Sequence, residues 1–308
     1  MTVLHSPDGL KPQIGEPQRG WPLVLLVVAA LTVSGWSYLI VMVAAMVPSM
    51  DMAEAGPGMI LFNQFNFMRG LPEEARAALA ALCLPAGATF GMPSVALTGI
   101  DIAKIFMMWA MMALAMMLPS ATPMVKAFHQ YVSIEGTQTK SVFSVTVSVV
   151  IGYLAVWIGY AVVATTAQVG LSKIGALSDM MAPVSMALTT SVLLAAGLYQ
   201  FTPAKRACLE RCWYPRWSFA RNRGDYSAQS AFREGLAQGW ICLGCCWAVM
   251  TVMFAVGLMN ILWIALLGAV MALEKTFPSR AFPIGIGVFL LVWGCALALG
   301  MVLGQGAS

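Results

Sequence analysis

The sequence is poor in charged residues and in histidine. Only 10% of its 308 residues are charged and two are histidines, whereas 60% are hydrophobic. A soluble domain carries roughly a quarter charged residues, so the composition excludes a chain that is soluble throughout. Strands of a transmembrane barrel would alternate apolar and polar residues, and the apolar runs here do not. The sequence therefore predicts an all-α polytopic membrane protein surrounded by a lipid bilayer.

Several signatures of catalysis and active transport are also missing. No G-x-x-x-x-G-K-[ST] phosphate loop occurs, which argues against an ATP-driven pump. No combination of nucleophile, base and orienting residue supports hydrolytic chemistry. Acidic residues within the apolar runs are too few to favour proton-driven pumping. His5 and His129 are too few for a haem or an oxygen-activating copper centre, so we expect the protein not to be an enzyme.

Apolar runs long enough to cross a hydrocarbon core of roughly 30 Å recur along the chain. They predict seven spans, of which the sixth is the shortest; if the fifth and sixth formed one bent span, the count would be six. Residues 1–20 are predicted to form a flexible tail, and 21–308 a single transmembrane domain. The predicted spans are residues 22–47, 101–118, 142–169, 183–201, 236–257, 259–273 and 282–304.

With seven spans, 13 of the 17 lysines and arginines fall on one side of the membrane. The positive-inside rule then places the N-terminus in the cytoplasm, and we expect a bacterial inner (plasma) membrane. An external loop at 49–100 contains LPEEARAALAALCLPAG, which is typical of a short surface helix. A basic cytoplasmic loop at 202–235 is expected to meet anionic headgroups. We do not expect it to bind nucleic acid.

Five of the seven cysteines fall into two groups near the predicted cytoplasmic face. Cys208 and Cys212 are four residues apart in CLERC. Cys242, Cys245 and Cys246 in GWICLGCCWAVM have helical spacings of three and four, and Met250 continues their stripe. Nearby Lys205, Arg206 and Arg211 are expected to lower the thiol pKa values and so to favour thiolates.

Such a set of sulfur atoms suits a soft metal ion. Copper(I) is the first candidate, zinc the second and an iron–sulfur cluster the third. Two alternatives remain open, because clustered cysteines also serve as small apolar filler or form a transient redox disulfide. Glu274 and Lys275, at the same membrane boundary, could pair at the interface or support the thiols.

The second predicted span is rich in methionine and ends in a proline motif. Met108, Met112 and Met116 recur every four residues in MMWAMMALAMMLPSATPM. They could pack adaptably or act as weak, exchangeable copper ligands. Pro119 and Pro123 are expected to end or kink the helix. His129 follows in a segment where it could be either a ligand or solvated.

Four motifs together resemble a family of predicted metal-binding integral membrane proteins catalogued as a domain of unknown function. These motifs are MWAMMALAMMLPSATPM, LAAGLYQFTPAKRACLERC, GWICLGCCWAVM and GLMNILWIALLGAVMALEK, within about 101–280. The family motif has leucine where Ala204 stands here. The resemblance implies a helical membrane fold and these family positions: Met108, Trp109, Met112, Met116, Met117, Pro119, Tyr199, Gln200, Thr202, Pro203, Cys208, Cys212, Cys242, Cys245 and Cys246.

The sequence thus predicts a membrane protein that delivers, stores or transports copper(I), with the cytoplasmic cysteines as the tight site and the methionine helix as a relay. A metal chaperone or a membrane complex is the expected partner. The alternative is an accessory or structural subunit of a membrane oxidoreductase or oxygenase complex, which would require a redox partner.

Overall fold

The part of the chain that the structure describes is predominantly helical. No strand occurs there, and the only β-type pairing is an isolated antiparallel bridge between Leu177 and Pro183. This confirms the predicted all-α class. Nearly all of the predicted tail and the predicted surface helix in LPEEARAALAALCLPAG lie outside the described residues. A computed structural model describes residues 20–47, 51–66, 98–135, 141–178, 182–215, 219 and 227–305.

Each of the seven predicted apolar runs contains a helix. Two 3-10 helices, Met52–Ala55 and Met59–Phe65, follow the first of them. The α-helices are α1 (Trp21–Met46), α2 (Gly99–Met112), α3 (Leu118–Glu135), α4 (Val142–Lys173), α5 (Met186–Gln200), α6 (Pro203–Trp213), α7 (Ala228–Thr251), α8 (Met253–Val256), α9 (Ile261–Thr276) and α10 (Ala281–Gln305).

Five helical stretches are long and apolar enough to cross a membrane. The helices α5 and α9 have only 15 and 16 residues, which cover roughly 23 Å at 1.5 Å per residue. The count of seven spans and the orientation of the chain therefore stay predictions. The five candidates are Trp21–Met46, Gly99–Ile134, Val142–Lys173, Ala228–Val256 and Ala281–Leu303.

The helix of the second span does not end at its prolines. A π-helical segment, Ala113–Met117, joins α2 to α3, and Pro123 lies inside α3. Proline lacks the N–H group that would bond to the carbonyl four residues earlier. For Pro119 that carbonyl belongs to Ala115, and the Trp36 indole donates to it at 3.1 Å. A partner from α1 therefore compensates for the missing bond, and the helix continues.

The helix α7 packs closely against α4 through two glycines. A Cβ atom at Gly152 would collide with the backbone at Phe232, and one at Gly235 would collide with the backbone at Val149. Only residues without a side chain allow the two backbones to approach this closely, as is common between membrane helices. This contact fixes the position of α7, the helix that carries three cysteines.

Short polar caps set the start of α6 and α7. The Thr202 side chain accepts a hydrogen bond from the Lys205 N–H group, and Pro203 occupies the first turn of α6, a favoured arrangement for a helix start. Ser227 caps α7 in the same way. Within the predicted basic loop at 202–235, residues 203–213 and 228–235 are thus helical, and α6 turns back to lie on α7.

Candidate metal centre

Three thiols of α7 meet on one face of the helix. The Sγ atoms of Cys242, Cys245 and Cys246 all lie within 4.8 Å of one another, and each residue is at most 3% exposed. The Cys245 and Cys246 sulfurs are 3.3 Å apart. Thiolates at about 2.3 Å from a tetrahedral metal ion lie roughly 3.8 Å apart. Small side-chain adjustments would therefore let all three bind the same ion.

The helix α6 adds one further sulfur to this group. Cys212 Sγ lies 3.7 Å from Cys245 Sγ, so Cys212, Cys242, Cys245 and Cys246 form what we call the thiol cluster. Cys208, one turn earlier in α6, packs instead on the backbone of Gly244, where an added Cβ would lie 2.6 Å from its sulfur. The spacing in CLERC places both cysteines against α7, but in different surroundings.

The surroundings of Cys208 do not favour its thiolate. Partial burial raises the pKa of the Cys208 thiol, although Arg211 and Lys205 act in the opposite direction. The lowering of this thiol pKa that we expected from the basic residues of α6 is therefore wrong. The physical reason is that loss of hydration outweighs the attraction of the two cations.

Lys275 and Tyr153 surround the sulfur of Cys242. The Lys275 ammonium donates hydrogen bonds of 2.8 Å to Cys242 Sγ and to Ser120 Oγ. The Tyr153 hydroxyl lies 2.9 Å from the same sulfur and donates to the Met117 carbonyl at 3.2 Å. An ammonium at this distance stabilises negative charge on the sulfur. A supporting role for Lys275 was one of our expectations, whereas Tyr153 was missed because nothing in its apolar helix marks it.

A buried ion pair fastens α6 to α9. Lys205 Nζ lies 2.8 Å from Glu274 Oε2, and both side chains are fully buried. Trp213, at the end of α6, donates to the Glu274 backbone carbonyl at 2.8 Å. We expected Lys205 to lie in a loop facing lipid headgroups, and this is wrong, because the side chain is fully buried. Its partner Glu274 directly precedes Lys275. One turn of α9 therefore contacts both α6 and the thiol cluster.

The Tyr-Gln-x-Thr-Pro motif connects α5 to the cysteine-bearing helices. The Tyr199 hydroxyl donates to the Gly244 carbonyl at 2.6 Å, between Cys242 and Cys245 in sequence. Thr202 and Pro203 start α6 immediately afterwards. The motif therefore anchors the beginning of α6 to the middle of α7, which brings Cys212 to the thiol cluster.

A small pocket leads to the thiol cluster. Cys212, Cys242, Tyr153 and Lys275 contribute to its lining, together with Ser120 and other residues. Its volume is about 30 Å³, more than the roughly 10–15 Å³ that a water molecule needs. The pocket is therefore large enough to admit a small ion to the sulfurs of Cys212 and Cys242.

The predicted methionine ligands lie inside the protein. Met108, Met112, Met116 and Met250 are each at most 2% exposed, whereas the neighbouring Met107 is 41% exposed. The stripe of every fourth residue thus faces the core. The part of this helix around its first proline approaches the thiol cluster through the Met117 carbonyl and Ser120, which contact Tyr153 and Lys275.

His129 lies in a different part of the core. It is fully buried, its Nδ1 atom is 3.0 Å from Thr146 Oγ1, and its ring centre is 5.6 Å from that of Trp21. The alternative of a solvated histidine is therefore wrong, because α3 continues past the prolines and packs this residue against α1 and α4.

The fold and the centre define a helical protein with membrane-type helices and a buried cluster of thiols. A family model described as a copper chaperone, PpoB2, matches residues 106–297. This range covers more than half of the chain and contains the whole thiol cluster, so the protein belongs to the PpoB2 copper chaperone family. No curated protein and no solved structure matches the chain.

Proposed function

We propose that the protein binds copper(I) at the thiol cluster and exchanges it with a partner protein through the pocket beside α6. The observation that carries this proposal is the convergence of three buried sulfurs within 4.8 Å in α7. Soft thiolate ligands select copper(I), zinc or iron–sulfur clusters. The copper chaperone family to which the chain belongs favours copper among them.

A positive charge beside the cluster lowers the electrostatic cost of binding copper(I). Three thiolates and one copper(I) ion carry a net charge of minus two, which is costly in a buried setting unless it is at least partly balanced. The Lys275 ammonium at 2.8 Å from Cys242 Sγ supplies one compensating positive charge. Among the described residues the sulfur group includes no carboxylate or histidine, the ligand types that harder ions favour.

Delivery agrees better with the geometry than permanent storage. Cys212 is only partly buried and borders the pocket that reaches Cys242, so an incoming or departing ion could pass from one sulfur to the next. Buried Met108, Met112 and Met116 offer weaker thioether ligands along α2 and the π-helical segment that follows it. We place this exchange at the cytoplasmic face, in line with the positive-inside distribution of the sequence.

The proposal is tested by titrating reduced, purified protein with copper(I) in competition with a coloured copper(I) chelator. The protein should take up a single tightly held copper(I) ion, and a Cys242→Ser, Cys245→Ser, Cys246→Ser variant should lose it. Cys295→Ser is the matched control, because Cys295 is an exposed cysteine of α10. Equal copper binding by the triple variant and the wild type would overturn the proposal.

The same preparation separates delivery from a redox role. A carrier of copper(I) should give no paramagnetic resonance signal in its loaded state and should hand its copper to an acceptor thiol without any change of valence. Stable cycling between two copper valences would instead support a subunit of an oxidoreductase.

A further inference from the structure

A second pocket, separate from the thiol cluster, lies where α5 ends and α10 begins. It has a volume of about 160 Å³. Phe201 and Ile284 contribute apolar walls, while Gln200 lines the pocket from the last turn of α5. The metal proposal uses none of these residues.

Gln200 carries an unsatisfied amide at this pocket. The residue is only 2% exposed, and neither its Oε1 nor its Nε2 atom has a hydrogen-bond partner in the described part of the chain. Buried polar groups are almost always hydrogen-bonded, and leaving them unpaired is unfavourable. A ligand with both an acceptor and a donor, or a ligand that brings water, would satisfy this amide.

The remaining polar lining combines two positive charges with one negative charge. Arg206 donates to the Phe201 carbonyl at 2.9 Å, and Arg280 lies 3.0 Å from Glu210. The side chains of Arg280 and Glu210 are 75% and 49% exposed. Such an exposed pair contributes little to stability, so both groups can turn towards a ligand at low cost.

The position of the pocket points to a lipid. The helix α10 presents large apolar side chains on its outer surface, with Ile284, Val288 and Phe289 each about half exposed. The charged groups Arg206 and Arg280 lie at the end where this apolar surface begins. Basic residues at such a boundary are at the level of phospholipid headgroups.

We propose that this pocket binds the headgroup of an amine-bearing phospholipid. Arg206 and Arg280 hold the phosphate, because arginine suits phosphate oxygens, and Glu210 pairs with the amine. The Gln200 amide bonds to the glycerol ester region, and the acyl chains follow the apolar surface at Ile284. When Arg280 turns to the phosphate, Glu210 loses its ion-pair partner, and a phospholipid without an amine supplies no cation to replace it.

Native mass spectrometry can test this with full-length protein released from nanodiscs that contain equal amounts of phosphatidylethanolamine and phosphatidylglycerol. The wild type should retain phosphatidylethanolamine above its share of the bilayer. Gln200→Leu and Arg280→Gln should lose this retention. Arg211→Gln is the matched control. It changes an exposed arginine of α6 that does not line the pocket, and this variant should retain the lipid as the wild type does.

Three results would overturn the inference. One is equal retention by the wild type and Arg280→Gln, a surface substitution that leaves the core intact. Another is a preference for phosphatidylglycerol. The third is displacement of the lipid by inorganic phosphate alone, which would identify the ligand as free phosphate. None of these results depends on copper, so the inference and the proposed function can fail separately.

Discussion

The two helices that carry cysteines are held in the protein in different ways. The helix α7 lies against α4 through glycines at which the backbones touch, and its three cysteines are fully buried. The helix α6 has only 11 residues, and Cys208 and Cys212 are partly exposed. It is attached by a few specific contacts, chiefly the Lys205–Glu274 ion pair and the hydrogen bond from Trp213 to the Glu274 carbonyl.

This difference indicates separate roles for the two helices in the binding and in the exchange of copper. Sulfurs fixed in a packed core are suited to hold an ion, because their arrangement needs only small side-chain adjustments when the ion binds. A short helix with few buried contacts opens more easily than the core does. We therefore expect α7 to determine how tightly copper is held and α6 to determine how fast it enters and leaves.

The largest effect should come from breaking the ion pair that attaches α6. Lys205→Met leaves Glu274 as an uncompensated buried charge, and removal of one partner of such a pair typically costs about 3–5 kcal/mol. Thermal unfolding in lipid-free detergent should show this loss. Glu210→Gln, which breaks the exposed pair with Arg280, should cost less than about 1 kcal/mol.

A double substitution sharpens this test. Lys205→Met combined with Glu274→Leu removes both charges, and replacement of a whole buried pair by apolar residues is often neutral. The double variant should therefore recover most of the stability. If Lys205→Met alone were as stable as Glu210→Gln, the ion pair would not be what holds α6.

Lys275 should affect copper affinity more than stability. Lys275→Met removes the hydrogen bond to Cys242 Sγ and the one positive charge that we place beside the bound ion. Loss of such a supporting group typically weakens metal binding about 10–100-fold. Chelator competition measures this, and Lys275→Arg should retain more affinity than Lys275→Met. Equal affinities for all three proteins would remove Lys275 from the centre.

Substitutions of the two cysteines of α6 should have different effects on copper release. Cys212→Ser should speed the release of copper to an acceptor thiol or weaken binding by up to about tenfold, because its sulfur contacts the cluster. Cys208→Ser should change stability by no more than about 0.5 kcal/mol and leave the rate of copper release unchanged. Stopped-flow transfer measurements distinguish the two variants, and the reverse order would contradict our assignment of Cys208.

The smallest effect concerns the reactivity of Cys208. Since the thiolate is the nucleophile and burial raises the pKa of this thiol, less thiolate is present at a given pH than in an ordinary cysteine. Its alkylation rate should therefore reach half of its maximum above about pH 8.5. Mass spectrometry of alkylated peptides follows this, and copper should not protect Cys208. Half-maximal alkylation below that pH would show that the cations dominate.

Local spacing was sufficient to predict the group in α7. Helical intervals of three and four place Cys242, Cys245 and Cys246 on one face, and the structure has them there. The length of the apolar runs, and their lack of alternation, likewise predicted the all-α class. These features depend on neighbouring residues, and a single sequence contains that information.

The supporting contacts could not be predicted in the same way. Lys205 and Glu274 are 69 residues apart, and Tyr153 and Cys242 are 89 residues apart. Such pairs depend on how the helices α4, α6, α7 and α9 pack. One signal was present, because an acidic residue at the end of an apolar helix is costly and usually has a partner. The partner of Glu274 became identifiable only once α6 was known to be a helix.

X-ray absorption at the copper edge of the reduced, copper-loaded protein tests the central claim most directly. We predict the edge of copper(I) and a first shell of sulfur atoms only, which decreases in the Cys242→Ser variant. A first shell of nitrogen or oxygen atoms, or an unchanged sulfur shell in that variant, would contradict the assignment of the thiol cluster as the copper site.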